Sequence, residues 1–272
     1  RIKKAGLICQ QRRHFMPTKT VKKHGTAKNR FQNRRTSKKR STIANSNDGQ
    51  VAAPKPPQNG YFVWGRHAVF AALSNDQRRV AQIYAASDNS ESSLNTHIFK
   101  QTLDRRSNLP TVQRIDQRRL DNIGSAFDKA VHQGMVAAVW PLDQPNLCDF
   151  LATHRNNRLR LLLLDQLSDP RNVGSILRSA RACGVAAVIT TSRNAAEEGG
   201  ALARAACGSL EDLPYLRVPT LARAIETLQK DQIYIAGLTS DGKMTVSDLA
   251  EIERLAIVLG AEGSGLRRLS RN

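Results

Sequence analysis

The sequence has no apolar run of about 18 residues, the length that a membrane-spanning helix needs. It also has no apolar segment after the charges at its N-terminus, where a secretory signal would carry one. Only 4 of the 272 residues are cysteine, and no two of them form a C-x-x-C pair. This cysteine usage argues against a disulfide framework or a zinc site and is typical of a reducing compartment. We therefore predict a cytoplasmic protein with no membrane partner and no bound metal.

Two nucleotide-binding signatures are absent as well. The chain contains neither the G-x-G-x-x-G fingerprint of dinucleotide-binding folds nor the Gly-Lys-Ser/Thr of a P-loop. A nucleotide-dependent oxidoreductase is therefore the least favoured of the function classes considered for this chain.

Acidic residues are nearly absent from the first 58 residues, which contain one acidic residue, Asp48, and 16 Lys or Arg. This segment therefore carries +15 of the total net charge of +19. Because this segment is also poor in apolar residues, we predict that residues 1–59 form a disordered basic tail and proline-rich linker. Basic tails bind polyanions with little selectivity, most often nucleic acid. An organelle transit peptide is the alternative interpretation of such an Arg-rich, acid-poor terminus.

Residues 60–142 alternate between strand and helix patterns, which predicts a small α/β domain. His67 and His132 lie beside glycines in this region, and such histidines are more often hydrogen-bonded turn residues than RNA contacts. The stretch Tyr61–Gly65 opens this domain. Strands are predicted at Gln82–Ala86, Thr111–Ile115 and Met135–Trp140, and helices at Ala68–Leu73 and near Ser92–Leu103.

Four consecutive leucines, Leu161–Leu164, are followed by Asp165 and a polar loop. An apolar run this short predicts a strand covered on both faces, as in a parallel sheet. A helix with Gly184 as its C-terminal cap is predicted next, then a strand at Val185–Thr191. This order of elements predicts half of a doubly wound α/β domain. The apolar helix positions are Val173, Ile176, Leu177, Ala180 and Cys183, on one face.

The α/β pattern continues to the end of the sequence, so a catalytic domain with a parallel sheet is predicted over residues 157–272. Thr220 is the expected N-cap of a helix in this part. The other predicted elements are helices at Ala195–Ala206 and from Leu266, and strands at Tyr215–Val218, Ile233–Leu238 and Leu255–Leu259.

The helix after the leucine strand has a distinctive polar face, because Arg171, Ser175 and Arg178 recur at i, i+4 and i+7. Asn172 lies where the loop meets the helix. The loop follows the carboxyl end of a strand, where open α/β sheets bind their ligands. The alternative interpretation is a solvated helix face with an Asn cap.

A glycine-rich loop follows the last predicted strand and contains Gly260, Gly263 and Gly265 around Glu262. Three glycines alone are equally typical of a generic tight turn. The glycine-rich loop is therefore informative about function only in combination with the leucine-strand segment.

Together, the two segments resemble the first two motifs of the SpoU/TrmH family of SPOUT-class RNA ribose 2′-O-methyltransferases. Asn172, Gly174 and Arg178 match the first motif, and residues 259–265 match the second. Two motifs in the right order, about 80 residues apart, are far more specific than either alone. Residues 65–69 and 131–135 also resemble the ends of the ribosomal-protein-like substrate-binding domain that precedes the catalytic domain in part of this family.

The resemblance implies a SPOUT-type α/β-knot catalytic domain that transfers a methyl group from S-adenosyl-L-methionine to a ribose 2′-OH of RNA. It is strongest to members that modify a guanosine in large-subunit (23S) ribosomal RNA, and it implies a homodimer. The implied catalytic residues are Arg178 for charge stabilisation, Asn172 to orient the arginine or the ribose, and Glu262 to hold the guanidinium; the implied cofactor-binding residues are Gly260, Thr239 and Gly265.

Family members continue into a third motif that supplies much of the cofactor pocket and dimer surface, and no such motif follows the glycine loop in this sequence. The expectation is therefore a catalytic domain that is truncated at its C-terminus. The competing function is a non-catalytic RNA-binding remnant of the same family, for which the basic tail and the small domain would suffice.

Overall fold

The computed structural model contains two β-sheets that are packed with helices. Its description covers residues 3–5, 54–87, 97–125, 132–156, 158–238, 245 and 247–260. The domain limits expected from the sequence stay predictions, and so does the disorder of the tail, most of which lies outside these ranges.

A four-stranded sheet, called the small sheet below, has the order β2-β5-β3-β4. Strand β5 pairs antiparallel with β2 and β3, and β3 pairs parallel with β4. The three predicted strands are confirmed as β3, β4 and β5, whereas helix α3 was missed because Leu120 and Ile123 are its only buried apolar residues among those described. The elements are β2 Tyr61–Trp64, α1 Arg66–Ser74, β3 Val80–Ala86, α2 His97–Arg105, β4 Val112–Ile115, α3 Gln117–Ser125 and β5 Met135–Val139.

A six-stranded sheet, called the large sheet, has the order β1-β9-β10-β6-β7-β8 and is parallel throughout. The predicted parallel sheet is therefore confirmed. The elements are β1 Lys3–Ala5, α4 Leu147–Thr153, β6 Leu159–Asp165, α5 Pro170–Ala182, β7 Ala187–Thr191, α6 Gly200–Ala206, α7 Ser209–Asp212, β8 Tyr215–Val218, α8 Leu221–Lys230, β9 Tyr234–Leu238, a 3₁₀ turn at Ser247–Leu249 and β10 Arg254–Gly260.

The leucine strand β6 is buried on both faces, as its composition predicts. Leu162 and Leu164 pack in one cluster with α5 and α6, and that cluster continues into the small sheet. Leu161 and Leu163 pack in a second cluster with α4 and α8 on the opposite face. The alternation of side chains along the strand thus places helices on both sides of the large sheet.

Helix α5 begins one turn earlier than an Asn172 cap would require. Its N-cap is Asp169, whose carboxylate accepts a hydrogen bond from the Arg171 amide, and Pro170 occupies the first helical position. The interpretation of Asn172 as the cap is therefore wrong. At the other end Gly184 has φ +69, the left-handed conformation expected after a C-terminal cap.

Helix α6 was predicted to begin at Ala195 but begins at Gly200, so that prediction is wrong over its first five residues. Residues 195–199 instead form a loop, within which Glu198 accepts hydrogen bonds from Arg78 and Tyr61. Bonds to partners so distant in sequence outweigh the local helix propensity. The helix predicted from Leu266 lies outside the described residues.

Strand β1 adds an unpredicted edge to the large sheet, since Lys3–Ala5 pairs parallel with β9. The sequence gives little sign of it because the three residues include two lysines.

Candidate active site

Three neighbouring strands of the large sheet end at the same edge. In β10, Gly260 lies opposite Asp165 of β6, and Val258 lies opposite Gly237 of β9. The loops that follow these strands therefore leave the sheet side by side. This carboxyl edge is where open parallel sheets bind their ligands.

Asp165 closes β6 at this edge with only 5% of its surface exposed. A carboxylate is rarely buried this deeply without partners, and Asp165 does have an interaction partner here. Its place beside Gly260 makes it a site residue that sequence reasoning missed. The available signal was an acidic residue that directly ends a run of four leucines.

The first turn of α5 follows a short, fixed loop. Gln166 has φ +59, Leu167 is buried, and the Leu167 carbonyl accepts a hydrogen bond from Ala196. The chain therefore reverses direction tightly and places the start of α5 at the carboxyl edge.

Arg178 projects from the exposed face of α5, as the sequence pattern predicted, together with Arg171 and Ser175. Among the described residues, Arg178 has neither an ion pair nor a hydrogen bond from its guanidinium. Its charge is thus not neutralised by a described carboxylate, unlike that of Arg181, which pairs with Asp212.

Asn172 is half-buried near the start of α5 and does not bond Arg178. Residues six apart on a helix diverge by roughly 120° and lie about 9 Å apart along the axis. Of the two implied roles for Asn172, orientation of the ribose therefore agrees better with the helix geometry than orientation of the arginine.

Gly174, the second of the three residues that match the first motif, is a packing residue. A Cβ at this position would lie 2.4 Å from the Cβ of Ala205 and 2.8 Å from backbone atoms of Ala205 and Ala206. Helices α5 and α6 therefore approach each other closely only because residue 174 has no side chain.

Substituting Gly174→Ala is expected to lower the free energy of unfolding by about 1–3 kcal/mol, because the added methyl must push α6 away from α5. Chemical denaturation measures the change. Ser175→Ala, at the exposed neighbouring position, is the control and should change stability by less than about 0.5 kcal/mol. A gain of about 1 kcal/mol for Gly174→Ala, as at an open helical glycine, would contradict the close packing.

Three of the residues implied for the site, Thr239, Glu262 and Gly265, lie outside the described residues. Of the implied cofactor-binding set, the structure therefore describes Gly260 alone, half-buried at the end of β10. A glycine between the ends of β9 and β6 leaves the backbone open to a bound molecule. In this respect the described edge fits the methyl donor that the motifs imply.

The two ends of the small-sheet region, which are far apart in sequence, meet in space. The Arg66 amide donates to Oε1 of Gln133 at 3.0 Å, and the Gly65 amide donates to the Met135 carbonyl at 3.3 Å. His132 is buried: its Nδ1 accepts from the Gly134 amide at 3.0 Å, and its Nε2 lies 2.8 Å from Oδ1 of Asp121. The prediction of a hydrogen-bonded turn histidine is confirmed for His132.

Across the described ranges, no three His, Cys, Asp or Glu side chains are grouped so that they could hold a metal ion.

In the same ranges, no helix combines the length and the apolarity that crossing a membrane requires.

Two family models match the chain. A model described as "SpoU rRNA Methylase family" matches residues 160–272, which include the motif helix and the carboxyl edge. A model described as "RNA 2'-O ribose methyltransferase substrate binding" matches residues 62–145, which include the small sheet.

Two relatives are similar to this chain over most of their length. The 23S rRNA (guanosine-2'-O-)-methyltransferase RlmB of Haemophilus ducreyi is 36% identical over 213 residues, covering 77% of this chain and 83% of the relative. RlmB of Escherichia coli K12 is 34% identical over 220 residues, covering 77% of this chain and 84% of the relative.

The fold is that of a SpoU methyltransferase. The crystal structure of the SpoU methyltransferase AviRb from Streptomyces viridochromogenes in complex with AdoMet matches with a TM-score of 0.61 at 20% identity, over 79% of this chain and 78% of that one. The chain belongs to the SpoU rRNA methylase family. The resemblance inferred from the two motifs is thereby confirmed.

Proposed function

We propose that this protein transfers a methyl group from S-adenosyl-L-methionine to the ribose 2′-OH of a guanosine in 23S ribosomal RNA. The observation that carries the proposal is the similarity, at 34–36% identity over 77% of the chain, to enzymes named for that reaction. The carboxyl edge supports it, since the motif helix α5 follows β6, whose last residue, Asp165, lies opposite Gly260 of β10.

The methyl donor, when bound, supplies an electrophilic methyl group on its sulfonium. The ribose hydroxyl is a weak nucleophile. As its oxygen took the methyl group from sulfur, it would have to release its proton to water, and the neutral thioether of S-adenosyl-L-homocysteine would be the leaving group. A guanidinium remains protonated at neutral pH, so Arg178 acts by stabilising the negative charge that develops on the ribose oxygen rather than as a base.

The remaining residues hold the reactants in line. Asn172 offers an amide to the ribose from the first turn of α5, and Glu262 fixes the guanidinium of Arg178 through a two-point ion pair. The proposed binding site for the methyl donor is formed by Gly260, Thr239 and Gly265. Gly260 lets the donor approach the backbone closely, because it has no side chain.

We also propose that the protein is a cytoplasmic homodimer. Leu238, Ile257 and Leu259 lie on one face of neighbouring strands and are only half-buried by the described residues. A second copy would cover such apolar surface. Light scattering measures the molar mass, and a monomer at micromolar concentration would contradict the dimer.

The test of the reaction is transfer of labelled methyl groups from S-adenosyl-L-methionine to 23S ribosomal RNA from a strain that lacks the modification. The expected product resists alkaline cleavage after one guanosine, because a 2′-O-methyl group removes the attacking hydroxyl. RNA binding without any transfer would instead support the non-catalytic RNA-binding alternative.

A further inference from the structure

Arg78 heads the largest fully buried side chains of the described residues, with 0% of its surface exposed. It lies in the turn between α1 and β3, directly before the exposed Arg79. In sequence the pair reads as ordinary surface arginines. A charged side chain is buried this completely only when other groups satisfy it.

The guanidinium of Arg78 bonds within its own region, to the Trp140 carbonyl at 2.8 Å and the Tyr61 hydroxyl at 3.1 Å, and its two acidic partners belong to the large-sheet region. Its Nε and Nη2 donate to the two carboxylate oxygens of Glu211 in α7, at 3.0 and 2.8 Å. Its Nη1 donates to Oε1 of Glu198, before α6, at 2.6 Å. The side chains of Glu211 and Glu198 are only 4% and 10% exposed. One guanidinium thus hydrogen-bonds to both segments that flank α6.

Further groups of the small-sheet region converge on the same two acids. Oε1 of Glu198 accepts from the Tyr61 hydroxyl at 2.8 Å and from the Leu142 amide at 3.1 Å. Oε2 of Glu211 accepts from Nδ2 of Asn75 at 2.9 Å. We call Tyr61, Asn75, Arg78, Glu198 and Glu211 the arginine lock.

The pKa values of two donors of the lock, Arg78 and Tyr61, are raised in the folded protein. Burial alone would lower the pKa of Arg78, but the hydrogen bonds that it donates to Glu211 and the neighbouring charges raise the pKa above its ordinary value. Burial raises the pKa of Tyr61, so its hydroxyl remains a donor. Both side chains therefore keep the protons that they donate to the lock.

A second buried arginine holds the turn that carries the donors. Arg106 is 6% exposed and donates to the carbonyls of Leu73, Asn75 and Arg78 at 2.9, 2.6 and 3.0 Å. Asn75 and Arg78 are thus fixed within their own region before they meet the acids. Such preorganisation lowers the entropic cost of forming the lock.

Close apolar contact surrounds the lock. A Cβ at Gly200 would lie 1.9 Å from the Trp64 ring and 2.1 Å from the Phe62 carbonyl, so α6 lies directly against β2. One hydrophobic cluster also runs through both sheets. Apolar packing alone tolerates sliding, whereas a two-point guanidinium–carboxylate pair fixes one orientation.

The lock is connected to the candidate active site through one loop. This loop, residues 192–199, follows β7, which is the strand next to β6, and it contains Glu198. The loop is held at both ends: the Ser192 amide donates to the Val218 carbonyl at 2.8 Å, and the Tyr215 hydroxyl donates to the Ala196 carbonyl at 2.9 Å. Burial raises the pKa of Tyr215 to about 12, which preserves this donor.

We propose that Arg78 is a positioning residue for the reaction, which sets the orientation of the substrate-binding region on the methylase region. RNA held by the first region then presents one ribose to the carboxyl edge of the second. This inference rests on the proposed function. Without a fixed orientation the bound RNA would sample many geometries, and misplacement by about 1 Å can cost roughly 100-fold in rate.

The test compares Arg78→Met with Arg79→Met, the exposed neighbour, in the full-length protein. For Arg78→Met the single-turnover rate at saturating 23S RNA is expected to fall about 10- to 100-fold, while RNA affinity changes less than about twofold. Arg79→Met should leave both unchanged. Hydrogen exchange should rise at residues 75–78 and 196–213 in the Arg78 variant only.

A triple variant, Arg78→Met with Glu198→Gln and Glu211→Gln, separates orientation from stability. It leaves no buried charge unpaired, so its melting temperature should recover toward that of the native protein. The rate should nevertheless remain at least about tenfold low, because the two-point pair is absent. A native rate in the triple variant, or unchanged exchange in Arg78→Met, would overturn the proposal. An inactive native protein would refute the proposed function, and the exchange data would still test the lock.

Discussion

Substituting Arg178→Ala is expected to lower the single-turnover rate of methyl transfer by about 100- to 1000-fold, with RNA affinity and stability almost unchanged. Removal of one group that stabilises developing negative charge typically costs this much in rate. Stability should change by less than about 0.5 kcal/mol, because the Arg178 side chain is exposed and makes no described hydrogen bond or ion pair. Labelled methyl transfer and thermal unfolding measure the two effects.

Two matched variants make this prediction specific. Arg178→Lys should restore little activity, because an ammonium cannot reproduce the planar two-point pair proposed with Glu262. Arg181→Ala, on the same helix, removes a half-exposed ion pair with Asp212 and should remain active. Equal losses at Arg178 and Arg181 would show that the rate depends on the general charge of α5, and the assignment of Arg178 would then lack support.

Apart from the edge strand β1, the large sheet was predictable because its strands are strongly apolar. Leu161–Leu164 is too apolar for any surface position, and β8 at Tyr215–Val218 lies where it was predicted. The exposed face of α5 was equally readable, since the spacing of Arg171, Ser175 and Arg178 depends only on helical geometry.

The arginine lock could not be predicted in this way. Arg78 lies 133 residues from Glu211 and 120 from Glu198 in sequence, so no local pattern links them. Periodicity detects positions that face a core, but it does not identify which distant acid meets which arginine. The same limit explains the error at residues 195–199, where a helical pattern gave way to the bonds made by Glu198.

The candidate site was predictable only in part, for a related reason. The motifs identified Asn172, Gly174 and Arg178 together, but the structure gives these residues different environments. Gly174 packs α5 against α6, whereas Arg178 lies exposed. Asp165 was read merely as the end of a strand, although it is buried beside Gly260. A sequence motif thus identifies residues that occur together, but it does not distinguish those that support the fold from those that act in the site.

Neutralising the basic tail is expected to have the second large effect, on RNA affinity. The twelve Lys and Arg between Arg12 and Arg40 are changed to Gln, whereas Lys3 and Lys4 are kept because they lie in β1, which pairs with β9. Each lost phosphate contact lowers the slope of log K against log salt by about 0.7–0.9. If about half of the twelve contact phosphate, the slope should fall by about 4–5.

The tail should act on binding and leave the chemistry unchanged. A variant in which residues 12–40 are shuffled keeps every charge and should retain the native slope, because counterion release depends on charge and not on order. The single-turnover rate at saturating RNA should be native in both variants, since none of the proposed catalytic residues lies within residues 12–40. An unchanged slope in the neutralised variant would show that the folded regions supply the phosphate contacts, although they carry only +4 of the net charge outside the first 58 residues.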